Sequence, residues 1–169
     1  LNIGILTSLI HAGAMDDYLT QTRSQTAKEA QLWSILTKRE KERIDDLGKE
    51  YNFDLIKIVN YLKKPQNGSE KPFLKESRIL TMRKNFAPYQ KIYEQNSKNE
   101  KLCSYFWEKT LIGYSYSYNL VDILRDNYPE IMSLSEVKGE TDGIKVTIGG
   151  EISEVKTGTS KNKNKYIRC

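Results

Sequence analysis

The chain is poor in the residues from which compact metal and redox centres are built. Histidine occurs once, at His11, and cysteine twice, at Cys103 and Cys169, far apart and without a CxxC spacing. That leaves too few soft ligands for a structural zinc site and no disulfide framework, and the two thiols read as reduced, in a cytoplasmic protein. No apolar run approaches the roughly 18 residues of a membrane span, and no basic, apolar, small-residue leader is found, so neither a membrane partner nor a secreted chain is expected. A glycine-rich phosphate loop, a GxSxG elbow and an HExxH helix are all missing. Asp16-Asp17 and Asp45-Asp46 are adjacent carboxylates, but neighbours on a helix point about 100° apart and do not converge on a metal by themselves. They read as solvated or capping groups. No catalytic residue, no metal set and no cofactor is therefore assigned to this stretch.

What the chain has is charge of both signs and a modest apolar content. Lys and Arg number 27 against 22 Asp and Glu, a net charge of +5, with a pI near 9.0. Such a balance permits a polyanionic partner without demanding one. With 169 residues, 38% of them hydrophobic, the chain can bury a real core and is not disordered throughout.

Helical periodicity dominates up to about residue 138. Asn2 can cap a short helix with Ile3, Leu6 and Ile10 on one face and Gly13 as its stop. His11, near that helix end, is where a cation would interact well with the helix dipole. A longer helical pattern starts near Ser24, with Leu32, Ile35 and Leu36 on one stripe, and the apolar face continues through the charged run Lys38 to Glu50 by way of Ile44, Leu47 and Tyr51. Asn52 then looks like the cap of a helix carrying Leu55, Ile58, Val59 and Leu62. Pro65 to Pro72 reads as a loop. Periodicity resumes with Ile79, Met82 and Phe86, is interrupted at Pro88, and returns with Tyr89, Ile92 and Tyr93. Leu102, Tyr105 and Phe106 open another helix running to about Gly113, and Leu120, Ile123 and Leu124 mark a short one closed by Pro129.

After Gly139 the period changes from 3.6 to 2: Ile144, Val146 and Ile148 alternate with polar residues. This strand is expected to continue, bent at Gly149-Gly150, to Ile152 and Val155. Thr157 to Asn164 would form a polar turn, and Lys165 to Cys169 the second strand of a hairpin. From Val155 onward there are five basic residues, Lys156, Lys161, Lys163, Lys165 and Arg168, and no acidic one. On a hairpin beside Tyr166, these offer charge for phosphates and a ring for a base, the combination that binds single strands; the plain alternative is a solvated hairpin tip. Tyr114, Tyr116 and Tyr118 alternate, so in an extended stretch they would form a ladder for bases, or alternatively pack a junction between regions. A chain that opens on Leu1 and closes on Tyr166-Ile167-Arg168-Cys169, within an apparent strand, reads as a piece of a longer protein.

Leu1–Asp16, Glu108–Ser117, and Val146–Ile152 with Thr159–Lys161 are three patches that, in this order, resemble the alpha subunit of bacterial DNA polymerase III, the C-family replicative polymerases of bacteria and some phages. The first runs from Leu1-Asn2 through Leu9-Ile10-His11-Ala12-Gly13-Ala14-Met15-Asp16, with Met15 where the family has Phe. The second is Glu108-Lys109-Thr110-Leu111-Ile112-Gly113-Tyr114-Ser115-Tyr116-Ser117, after which Tyr118-Asn119-Leu120 departs from the family's Gly-His-Pro. The third is Val146 to Ile152 followed by Thr159-Ser160-Lys161, similar to the start of the family's OB-fold, with Asn162 or Asn164 where that hairpin carries Gly.

The resemblance implies a mainly α fold, a helical region followed by the first β-hairpin of an OB-type barrel. Residues 1–18 would end a helix-hairpin-helix and fingers region, 19–138 form a helical connecting domain, and 139–169 begin the OB-fold. It implies a parent DNA-directed DNA polymerase, a nucleotidyltransferase using two Mg ions, of which this segment carries no catalytic residue. Its partners would be template and primer DNA, single-stranded DNA at the hairpin, and a sliding clamp bound by a glutamine-led motif. Gln31-Leu32-Trp33-Ser34-Ile35 and Gln90-Lys91-Ile92-Tyr93 are the candidates for that motif. The other reading is a stand-alone helical protein-interaction module whose positive charge is incidental.

Overall fold

The computed structural model describes residues 2–66, 70–152, 154–161 and 164–168, and they are mainly helical. The chain divides into two units, Leu1–Ser117 and Tyr118–Cys169; the expected boundaries after residues 18 and 138 fall inside them. The first unit holds helices α1 (Ile3–His11), α2 (Arg23–Ser34), α3 (Lys38–Gly48), α4 (Leu55–Leu62), α5 (Glu76–Asn96) and α6 (Glu100–Ile112). Asn2 caps α1 by accepting from the Gly4 amide at 2.8 Å, and Gly113, left-handed at φ 95°, ends α6, both as the residue pattern implies.

Helix α2 packs against α1, α4, α5 and α6, and so belongs to two cores at once. Ala27 joins Ile10 and Tyr93 in one, while Leu32 joins Leu36, Ile44, Leu47, Ile58, Val59, Leu62 and Met82 in the other. A helix buried on two sides shows no clean single stripe, and the reading of one long helix from Ser24 is corrected here. The chain turns between Ser34 and Lys38 because Thr37 and Glu40 form a reciprocal capping box. Arg78 of α5 then pins the corner, donating from Nε to Glu40 Oε1 at 2.6 Å and from Nη2 to the Ile35 carbonyl at 2.8 Å.

Two further expectations change. Asp54, not Asn52, caps α4, its Oδ1 accepting from the Lys57 amide at 2.9 Å; Asn52 is left-handed at φ 50°, which Asn tolerates better than most residues. Pro88 does not interrupt α5. It lies on the exposed side, as does Lys84, whose carbonyl loses its helical donor, so water can serve that carbonyl while Met82 and Tyr93 remain buried on the other side. Of the loop expected between Pro65 and Pro72, Asn67, Gly68 and Ser69 lie outside the described residues.

The second unit contains α7 (Leu120–Arg125), β1 (Ile131–Met132), α8 (Leu134–Val137), β2 (Thr147–Ile148), β3 (Lys156–Thr159) and β4 (Lys165–Arg168). Its short strands make two two-stranded sheets: β1 and β2 pair in parallel, and β3 and β4 pair antiparallel. Among the described residues, the long bent strand expected from Ile144 to Val155 is not formed. Only Thr147–Ile148 of it is paired, with Ile131–Met132, and Gly149 lies so close to Ile131 and Leu124 that a β-carbon there would come within 3.0 Å of both side chains. The partner of β4 is instead Lys156–Thr159, and between the two strands the Ser160 amide donates to the Asn164 carbonyl at 2.8 Å. Among the described residues no helix is long and apolar enough to cross a membrane.

Candidate functional site

The hairpin β3–β4 places the basic segment on a defined ladder. Register partners are Lys156 with Arg168, Thr157 with Ile167, Gly158 with Tyr166 and Thr159 with Lys165. Because side chains alternate across a strand, Lys156 and Tyr166 share one face, and Lys165 and Ile167 the other. The six candidate DNA-binding residues therefore do not form a single patch. Lys156, Lys161, Lys165 and Tyr166 are exposed; Lys163 lies outside the described residues, as does the side chain of Arg168.

Tyr166 is held by its cross-strand partner. Its ring lies over Gly158, where a β-carbon would come within 2.5 Å of Cζ, so only glycine leaves room for the ring. With Gly158 beneath it and 46% of its surface in solvent, the ring has a free side on which a flat group can stack. One cation is already partly balanced: Lys156 Nζ lies 2.9 Å from Glu154 Oε2, a carboxylate just upstream of the segment counted as free of acids.

The first unit contains a second arrangement that local sequence patterns do not reveal. Arg23, 5% exposed, and Glu108, fully buried, meet at 2.6 Å between Nη1 and Oε1. Arg23 Nε also donates to Asp16 Oδ1 at 3.0 Å, Nη1 to the His11 carbonyl at 3.3 Å and Nη2 to Ser117 Oγ at 3.0 Å. Glu108 Oε2 accepts from Ser115 Oγ, the Tyr116 amide and the Ser117 amide at 2.7, 2.9 and 3.1 Å. Burial opposes the charge on both groups. Hydrogen bonds from Ser117, Ser115 and Arg23 outweigh it for Glu108 and hold that carboxyl down at about 2, and those to Asp16 and Glu108 raise the Arg23 guanidinium. Tyr116 adds a hydroxyl that donates to the Ala12 carbonyl at 3.0 Å. At Gly13, left-handed at φ 76°, a β-carbon would collide with both the Arg23 guanidinium and the Tyr116 hydroxyl at 2.2 Å. Asp16 is thus exposed, as expected of a solvated carboxylate, and is also an ion-pair partner of Arg23. The network ties the patch ending at Asp16 to the patch starting at Glu108.

His11 is not the cation expected at the end of α1. Burial, and then the nearby Arg23, lower its pKa from 6.5 to about 4. The neutral ring stacks on Trp107 with centroids 4.0 Å apart, and Nε2 lies 3.3 Å from the Tyr93 hydroxyl. Tyr114 and Tyr116 are exposed, and Tyr118 belongs to the second unit. The first glutamine-led motif runs from the last turn of α2 to Ile35, just past the helix end, and the second lies within α5. Gln90 and Ile92 are exposed and Gln31 half-buried, but Leu32 and Tyr93 are buried core residues. Among the described residues no group of three His, Cys, Asp or Glu side chains is placed to hold a metal ion.

Comparison of the chain with protein-family models, with curated proteins and with solved structures finds no match.

Proposed function

We propose that this chain is a non-catalytic segment of a replicative DNA-directed DNA polymerase of the C family, cytoplasmic, contributing to DNA positioning and single-strand binding. The observation that carries the reading is the hairpin: a tyrosine seated on Gly158 and exposed on one side, with Lys156 on its own face, Lys165 on the opposite face and Lys161 exposed in the connecting turn. That is a stacking ring with cations for phosphates, built without any base-specific donor set, and it suits a flexible single strand better than a duplex groove. The Arg23–Glu108 network supports the same reading, because it joins two of the three patches that resemble the polymerase family. In this reading the hairpin is the opening of an OB-type barrel, and the chemistry, with its two metal ions, belongs to other parts of the parent protein.

Fluorescence anisotropy with labelled single-stranded and primed duplex DNA at two salt concentrations tests it. Binding should be salt-dependent and stronger for the single strand. Changing Lys161, Lys163 and Lys165 to Ala should reduce the logarithmic salt slope by about 2, and Tyr166→Ala should weaken single-strand binding roughly tenfold or more. Absence of binding at low salt overturns the DNA-contact role. The reading it would leave is a helical protein-interaction module, favoured by one observation: Ile5, Leu9, Leu111 and Ile112 stand exposed around an apolar concavity between α1 and α6.

A further inference from the structure

We propose that the groove between α2, α4 and α5 is a binding site for a soluble amphiphile that carries a single anionic head, a carboxylate or a phosphate, on an apolar body. The cavity measures about 360 Å³, at the lower end of the range of small-molecule sites. Its walls are apolar, with Leu32, Val59, Met82 and Phe86 among them. Three cations also line it: Lys28, which is paired with Glu94, and Lys63 and Arg83. Lys63 follows the last turn of α4 and donates to Asn60 Oδ1 at 2.8 Å. Burial, and then Arg83, lower its pKa, so two like charges share a half-buried mouth that a bound anion would relieve.

The balance of charge around the groove selects the ligand's form. Glu94 is the one carboxylate among the lining residues, and it is already engaged by Lys28 Nζ at 3.2 Å and by Gln90 Nε2 at 2.9 Å. Arg83 and Glu94 stand about three turns apart on α5, roughly 16 Å. One end of the groove is thus neutralised and the other is a single cationic point. An acidic helix would need cations spread along the groove; one head at Lys63 and Arg83, with an apolar tail toward Leu32, needs only what is there.

The test uses the full chain, with decanoate below its micelle concentration and decanol as the uncharged control, followed by methyl NMR shifts and calorimetry. Decanoate should shift the methyl signals of Leu32, Val59 and Met82. Arg83→Gln, at an exposed position, and Lys63→Gln, at a half-buried one, should each weaken it roughly tenfold, while Arg83→Lys retains most of the affinity and decanol is indifferent to all three. The proposal is overturned if decanoate moves none of these methyls, if the glutamine variants bind it as the parent does, or if an acidic amphipathic peptide moves them and decanoate does not.

Discussion

The two units of this chain differ in how they dispose of their apolar residues. In Leu1–Ser117 the helices bury two contiguous clusters, and even the charged Arg23, Glu40 and Glu108 are enclosed and paired. In Tyr118–Cys169, Ile131 is the one buried apolar residue described, while Leu134, Ile144, Ile148, Ile152, Val155 and Ile167 are exposed. The difference follows from element type. A helix closes its own backbone hydrogen bonds and needs only one covered face, whereas a strand needs neighbours both for its edges and for its faces, and a two-stranded sheet supplies few of either. The first unit encloses apolar cores of its own; the second offers surface, which is where the proposed DNA contact lies.

The largest expected effect breaks this contrast on the side of the first unit. Glu108→Ala leaves Arg23 buried with one of its two carboxylate partners and removes the acceptor for the Tyr116 and Ser117 amides. Losing one member of a buried ion pair costs about 3–5 kcal/mol. Both tryptophans, Trp33 and Trp107, lie in this unit, so urea unfolding followed by tryptophan fluorescence reads the change directly. A shift under about 1 kcal/mol would mean that the network is not a structural keystone.

A smaller effect separates the units by pH. His11 is held below its ordinary pKa in the folded chain, at about 4 against 6.5, so the unfolded chain binds the proton first as pH falls. Its contribution is whole above about pH 6.5, declines on the way down to 4, and is flat below; for a half-buried ring it amounts to about 1–2 kcal/mol. Glu108 adds a separate decline, between 4.5 and about 2. Urea midpoints measured from pH 7.5 to 4.5 should therefore fall in the parent and stay nearly level in His11→Gln, and equal slopes in the two would remove His11 as the cause.

What could be read from the residues was local. The Asn2 cap, the Leu55 to Leu62 stripe, the stop at Gly113 and the presence of a C-terminal hairpin rest on neighbours within a few positions, and the structure has them all. The corner at Thr37 was also legible, as a Ser/Thr-x-x-Glu box, but the apolar stripe running through it masked the signal. Pro88 misled because its cost depends on whether its side of the helix faces solvent, which periodicity alone does not state. The Arg23–Glu108 pair spans 85 positions, and nothing near either residue announces the other. The strand from Ile144 failed for a related reason: alternation says which residues could share a face, not that a neighbouring strand exists to pair with them.

The smallest expected effect sharpens the comparison from the other side. Ile167 is 68% exposed and pairs in register with Thr157, on the hairpin face that also carries Lys165. Threonine keeps the β-branched shape that strands favour, so Ile167→Thr removes apolar surface that is not buried and should change hairpin stability by less than about 0.5 kcal/mol. Amide exchange of the β3 and β4 residues would read it, independently of the tryptophan signal. Protection falling by more than about tenfold would say that this face is covered in solution, so that the exposed isoleucines of the second unit are one half of an interface. Unchanged protection would leave the face open, and the hairpin then owes its order to its ladder and to the Tyr166 ring on Gly158, the same contact on which the proposed stacking site depends.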